Sequence, residues 1–235
     1  MITSPQNEKL KQVRKLRQRG ERDRWHQFVA EGEDLLAAAD AAGWTPVERF
    51  AAAGSGLPGI EVDQAALRSV AHLNSGTRAL AVYEARWADQ AEGPLAVYLH
   101  AIRDPGNVGT ILRCAEAFGA SCVAFGPDTA DPFGPKAVRA SMGAIFAVPV
   151  VQAKPEELPG TTVALDANAD QRLADLIPAL PNDVTLLIGA ERDGLPAELI
   201  SQADHVARIP IATHSLNAAM AATVGLYELR RMAPA

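Results

Sequence analysis

Residues 95–102 form an apolar run interrupted only by His100, and a strand of that composition has to be buried on both faces. Such a strand belongs inside a parallel sheet with helices above and below it. Further strand-like runs follow at 122–125, 147–151, 162–165, 184–188 and 205–209. Between the first two, Val108, Ile111, Leu112, Ala115 and Phe118 recur at helical spacing and Gly119 closes the stretch. A last helix is predicted from about 215 to 230, with Leu216, Met220, Val224 and Tyr227 inward and Ala218, Ala221 and Ala222 permitting close packing. Alternation of this kind predicts an α/β fold built on a parallel sheet.

The front of the chain reads as a second, smaller α/β unit. Strands are predicted at 28–30, 47–51, 60–62 and 78–83, and helices at 34–42 and 63–73, the latter capped by Asp63. A polar stretch at 87–94 reads as a linker, so the domains are placed at 1–90 and 91–235. Ahead of the first strand, Lys9, Lys11, Arg14, Lys15, Arg17, Arg19, Arg22 and Arg24 stand among only three acidic residues. A helix over 5–19 would bury Leu10, Val13 and Leu16 while Lys11, Lys15, Arg19 and Arg22 project from its other side. Such a charged run reads either as a solvated face or as a grip on nucleic-acid phosphates.

With 235 residues, 48% of them hydrophobic, the chain can bury a substantial core. Its net charge of -6 argues against a protein that coats nucleic acid along its whole surface, though it leaves room for a local basic patch. Two cysteines without metal-ligand spacing predict neither a disulfide framework nor a metal site and fit a reducing, cytoplasmic setting. No apolar run reaches the ~18 residues of a membrane span. Neither GxGxxG nor GxxxxGK[ST] occurs, nor do HExxH and GxSxG.

Three polar, glycine-bearing segments each follow a strand-like run: 104–109 leading to Arg113, 189–194, and 215–217. They deliver Asn107, Arg113, Glu191, Ser215 and Asn217 to strand ends, a placement that suits one shared site better than core. Asn107, Ser215 and Asn217 also stand where helices start, so capping is a second reading of each. Gly189 admits a close backbone approach, and Ile209 and Leu216 offer an apolar wall, or plain core.

Residues 107–119 resemble the first motif of the SpoU family of RNA 2′-O-ribose methyltransferases, within the SPOUT superfamily. Residues 187–195 are similar to its second motif, and Ile209-Pro210 followed by Ser215-Leu216-Asn217 to its third. Lys136 with 139–144 resembles an intervening segment, and 7–32 resembles the ribosomal-protein-L30-like RNA-binding domain often fused in front. The loop 211–214 is shorter than is typical of the family and lacks its glycine.

The resemblance implies a C-terminal α/β trefoil-knot domain that binds S-adenosyl-L-methionine, dimerises, and methylates a ribose 2′-hydroxyl. It implies cofactor contacts at Gly189, Ile209 and Leu216, and catalytic roles for Asn107, Arg113, Glu191, Ser215 and Asn217. A guanidinium keeps its proton, so Arg113 is expected to grip a phosphate rather than act as base, unless it is spent on an ion pair with Glu116 or Glu191. His214, beside Ser215, is expected to be a loop residue, with a general-base role the lesser reading. The expected partners are RNA, rRNA in preference to tRNA, and a second copy of the chain. The alternatives are a tRNA 2′-O-methyltransferase, or a non-catalytic RNA-binding or ribosome-assembly protein.

Overall fold

The computed structural model describes residues 1–71, 76–213 and 215–232. His72 and Leu73, at the predicted end of the second front helix, and His214 lie outside the described residues. Helix α1 (Glu8–Lys15) is capped by Asn7, whose side chain accepts the Lys9 amide, and buries Leu10 and Val13. It is shorter than predicted, because a second helix, α2 (Arg19–Trp25), starts after a turn. Arg22 explains the break: from α2 its guanidinium donates to the carbonyls of Leu16 at 3.0 Å and Arg17 at 2.8 Å. A cation there satisfies acceptors that a helix end leaves unpaired. His26, in the left-handed region with φ 50°, ends α2.

The first sheet comprises β1 (Gln27–Glu31), then, beyond α3 (Glu33–Ala41), β2 (Glu48–Ala52) and β3 (Ile60–Val62), and, beyond α4 (Gln64–Arg68), β4 (Ala79–Glu84). Its order is β1-β4-β2-β3, with β4 antiparallel to both neighbours. One face meets α1 and α4 through Val29, Phe50, Leu80 and Val82.

The second sheet is parallel throughout. Strand β5 (Leu95–Leu99) leads through α5 (Pro105–Ala117) to β6 (Cys122–Phe125), then through α6 (Pro135–Ser141) and α7 (Ala144–Ala147) to β7 (Val150–Gln152). The chain continues into β8 (Thr161–Leu165), α8 (Leu173–Leu176), β9 (Val184–Ile188), α9 (Ala197–Gln202), β10 (His205–Ala207) and α10 (Ala218–Met232). The strand order is β10-β8-β9-β5-β6-β7, so the apolar β5 lies inside the sheet, as its composition requires. The strand expected at 147–151 starts later, because 144–147 is helical and drives Phe146 into the core.

The inward face of α10 differs from the expected one. Ala218, Ala219, Ala222 and Leu226 are buried, whereas Met220 is 60% and Tyr227 50% exposed. A Cβ at Gly225 would stand 2.6 Å from a methyl of Leu186, so the helix uses its smallest residues to lie against the sheet.

The two sheets share a core. Phe28 and Tyr83 from the first pack against Phe146, with ring centroids 5.9 and 5.0 Å apart, and Trp44 donates its indole N–H to the Phe146 carbonyl at 2.9 Å. The segment expected to be a linker is itself held down: Trp87 packs edge-on against Phe125 and Phe133, and Ala88 bridges to Val151.

Candidate functional site

Because the strands of the second sheet are parallel, their carboxyl ends form one edge, where open α/β sheets bind ligands. A cavity of about 400 Å³ opens there over β8, β9 and β10. Loops 165–168, 188–195 and 209–216 supply its walls, with Ile209 and Leu216 among the apolar residues and Glu191 and Ser215 among the polar ones. Apolar walls with a few polar residues among them, at that volume, suit a nucleoside-sized ligand.

Gly189 lines the cavity, and its missing side chain also admits a close approach within the chain. A Cβ there would come within 2.2 Å of the Gly194 carbonyl carbon and 2.3 Å of the Leu195 nitrogen. Ala190 and Gly194 exchange backbone hydrogen bonds at 3.1 and 2.9 Å, and Gly194 takes φ 66°. The loop closes onto Gly189, which only glycine permits, and Glu191, Arg192 and Asp193 are carried on its bend.

The three polar segments meet at this loop. Asn107, in the first turn of α5, donates its side-chain amide to Glu191 Oε1 and accepts the Asn217 amide on Oδ1 at 3.1 Å. Asn217 Oδ1 meanwhile accepts the amides of Ala219 at 2.9 Å and Met220 at 3.3 Å. It therefore caps α10 and reaches the site at once, which joins the two readings of its sequence position. Ser215 is exposed on the cavity wall, its carbonyl accepting from Thr213 Oγ1 at 3.2 Å.

Arg113 stands apart from this network. It lies six residues beyond Asn107 on α5, about 9 Å along the axis, is exposed, does not line the cavity, and makes no ion pair among the described residues. The pairing with Glu116 or Glu191 that its surroundings allowed is not made there, so the guanidinium is free for a ligand.

The cap of α5 is Asp104 and not Asn107, which lies inside the first turn. Asp104 Oδ1 accepts the Lys136 ammonium at 2.8 Å and the Gly106 amide at 2.6 Å. The lysine, followed by the amide, holds the Asp104 carboxyl below the usual carboxylate range. Gly109 lets α5 lie directly on α6, since a Cβ would meet the Ala137 carbonyl oxygen at 2.4 Å. Sequence reasoning also missed the 165–168 wall. Its available signal was Asp166 two residues before Asn168, an Asx turn in which Asp166 Oδ1 accepts the Asn168 amide at 2.9 Å.

Of the four cations assigned to RNA, Lys15 and Arg19 are exposed, Arg19 lying 3.8 Å from Asp23, and Lys11 is half-buried beside Glu8 at 2.8 Å. Arg22 corrects its assignment. It is 7% exposed and donates through Nε and Nη2 to Asp131 Oδ2 at 2.9 and 2.7 Å, so it ties α2 to the second sheet's loops and is not presented to a partner.

The chain as a whole is similar to known proteins. The SpoU rRNA methylase family model matches residues 94–227, and the MRM3-like substrate binding domain matches residues 7–85. The chain is 30% identical to the 23S rRNA (guanosine(2553)-2′-O)-methyltransferase RlmP of Bacillus subtilis, over 97% of this chain and 98% of that one. The structure of an AdoMet-bound rRNA methyltransferase from Sinorhizobium meliloti superposes with a TM-score of 0.89 at 32% identity, covering 100% of this chain and 98% of that one. The SpoU methyltransferase AviRb from Streptomyces viridochromogenes, in complex with the cofactor AdoMet, gives 0.85 at 28% identity over 96% and 98%.

Proposed function

The chain belongs to the SpoU rRNA methylase family, and from that premise we propose that it methylates a ribose 2′-hydroxyl of ribosomal RNA with S-adenosylmethionine. The observation that carries the reading is the Glu191–Asn107–Asn217 chain of hydrogen bonds, which gathers three distant segments beside a nucleoside-sized cavity. S-adenosylmethionine supplies an electrophilic methyl group when bound. Ile209, Leu216 and the backbone at Gly189, which line the cavity, would hold its adenosine part.

The protein's own contribution is positioning and charge. Asn107, held from both sides, and Asn217, locked by its cap, present amide groups to the ribose, and Glu191 fixes Asn107. Ser215 adds a hydroxyl on the wall. Arg113 grips a phosphate next to the target ribose and stabilises negative charge on the 2′-oxygen as its proton passes to phosphate or water. The non-catalytic alternative is disfavoured because Glu191 and Ser215 line the cavity and Glu191 is joined to Asn107 and Asn217 beside it, and rRNA is preferred to tRNA because RlmP is named for a 23S target.

The same proposal assigns substrate selection to residues 1–90 and methyl transfer to 91–235. It includes a knotted C-terminal segment, supported by the match to the SpoU rRNA methylase family over residues 94–227, and cytoplasmic action, supported by two free cysteines. It also includes a homodimer joined through α10, whose exposed Met220 and Tyr227, the latter against Phe118, leave an apolar face. Met220→Glu with Tyr227→Glu should convert a dimer to a monomer in sedimentation analysis. Labelled methyl transfer to unmodified rRNA and, separately, tRNA, followed by nucleoside analysis, tests the chemistry. A 2′-O-methylnucleoside from rRNA is expected; label on a base, or in tRNA alone, overturns the reading.

A further inference from the structure

A second cavity, larger than the one described above, opens on the same edge of the sheet. A cleft of about 790 Å³ runs between α2 and the loops that follow β5, β6 and β7, and it holds none of the residues assigned to methyl transfer. Arg103 follows β5, residues 125–133 continue β6, and Gln152 ends β7 with Lys154 just beyond it, so the cleft occupies the other half of the same carboxyl edge. From the strand order, the centres of the two cavities are roughly three strand spacings apart, ~15 Å at ~4.8 Å each. Residues 104–107 at the start of α5 lie between them in the chain, one step from Arg103 on one side and bonded to Glu191 on the other.

The charges in the cleft do not all cancel. Asp131 is matched by buried Arg22 at 2.7 Å, Asp23 lies beside Arg19 at 3.8 Å, and the Glu157 carboxylate accepts the Lys154 backbone amide at 2.8 Å. Arg103 and Lys154 are exposed, and neither cationic group has an ion-pair partner among the described residues. Asp128 is the remaining carboxylate on the wall. Beside the cations stand half-buried Trp87 and, at the end of β7, exposed Gln152, which carries both a donor and an acceptor.

We propose that this cleft is a subsite for an RNA nucleotide flanking the methylated one, with Arg103 and Lys154 on its phosphates and its base between Trp87 and Gln152. The proposal rests on the reading of the chain as an RNA methyltransferase and adds a place where the neighbouring sequence is held. Two free cations about a nucleotide-sized space beside an aromatic wall match the way proteins hold single-stranded RNA, by phosphate contact and stacking.

The test uses the full chain with Arg103→Gln and Lys154→Gln, singly and together, and with Gln152→Ala, on the rRNA fragment that the wild type methylates. The double variant is expected to raise KM for RNA about tenfold or more with kcat and cofactor affinity unchanged, and to lower the salt slope of RNA binding by about 1.4 for two lost contacts to a single strand. Gln152→Ala is expected to relax the dependence of KM on the nucleotide beside the target. An unchanged KM and salt slope in the double variant, with wild-type methylation intact, overturns the subsite and leaves the enzyme reading standing. Failure of the wild type itself to methylate any RNA while binding S-adenosylmethionine would remove the premise.

Discussion

Arg22 and Arg113 carry the same guanidinium, and burial decides what each one does. Arg22 gives its donors to two carbonyls and the Asp131 carboxylate inside the protein. Removing it leaves a largely buried carboxylate without its cation and two carbonyls without their donor, so Arg22→Gln should cost about 3 kcal/mol in denaturant unfolding, with little direct effect on RNA contact. Arg113 is exposed, with no ion-pair partner among the described residues, and its replacement should leave stability alone. Arg113→Lys keeps the charge but loses the planar fork, and should lower kcat about a hundredfold with unchanged affinity for S-adenosylmethionine. Near-normal turnover would refute the bidentate grip. Both side chains were legible as cations in the sequence. Only the packing of α2 against Asp131 separated them, because nothing local distinguishes an arginine bound for the interior from its neighbours on a charged helix.

Among the elements, α5 carries the most consequence. Its apolar stripe and its closing Gly119 were readable from spacing alone, and so was a polar start at Asp104-Pro105-Gly106-Asn107. Hidden from view was the dependence of that start on Lys136, which arrives from α6. Asp104's carboxyl has a lowered folded value, so its stabilising contribution is present above the unfolded carboxylate value of about 3.9 and is lost as pH falls through the folded one. Asp104→Asn should therefore reduce the dependence of stability on pH below about 4, seen as a flatter acid limb in denaturant midpoints. The change should be small, because half of the Asp104 side chain is exposed. The last helix shows the opposite balance. Its existence followed from composition, but its orientation did not, since alanines and glycine win the sheet-facing side where the approach is closest and larger residues fit only outside.

At the level of the whole molecule, two sheets close over one aromatic cluster, with Phe146 meeting Phe28, Tyr83 and Trp44. Phe146→Ala should cost about 3–5 kcal/mol and weaken both sheets within a single cooperative transition by circular dichroism and fluorescence. Two separated transitions would show that each sheet is stable alone. Hydrophobic periodicity, glycines and helix-start signals are local properties, and they were enough to give the parallel α/β class, the extent of most strands and the residues fit for a polar site. Tertiary structure alone decided which of those residues meet. The Asn107, Glu191 and Asn217 side chains are joined across 84 and 110 residues of chain, and Arg22 finds Asp131 across 109. Such contacts depend on how the sheet and its helices stack, which no single segment encodes.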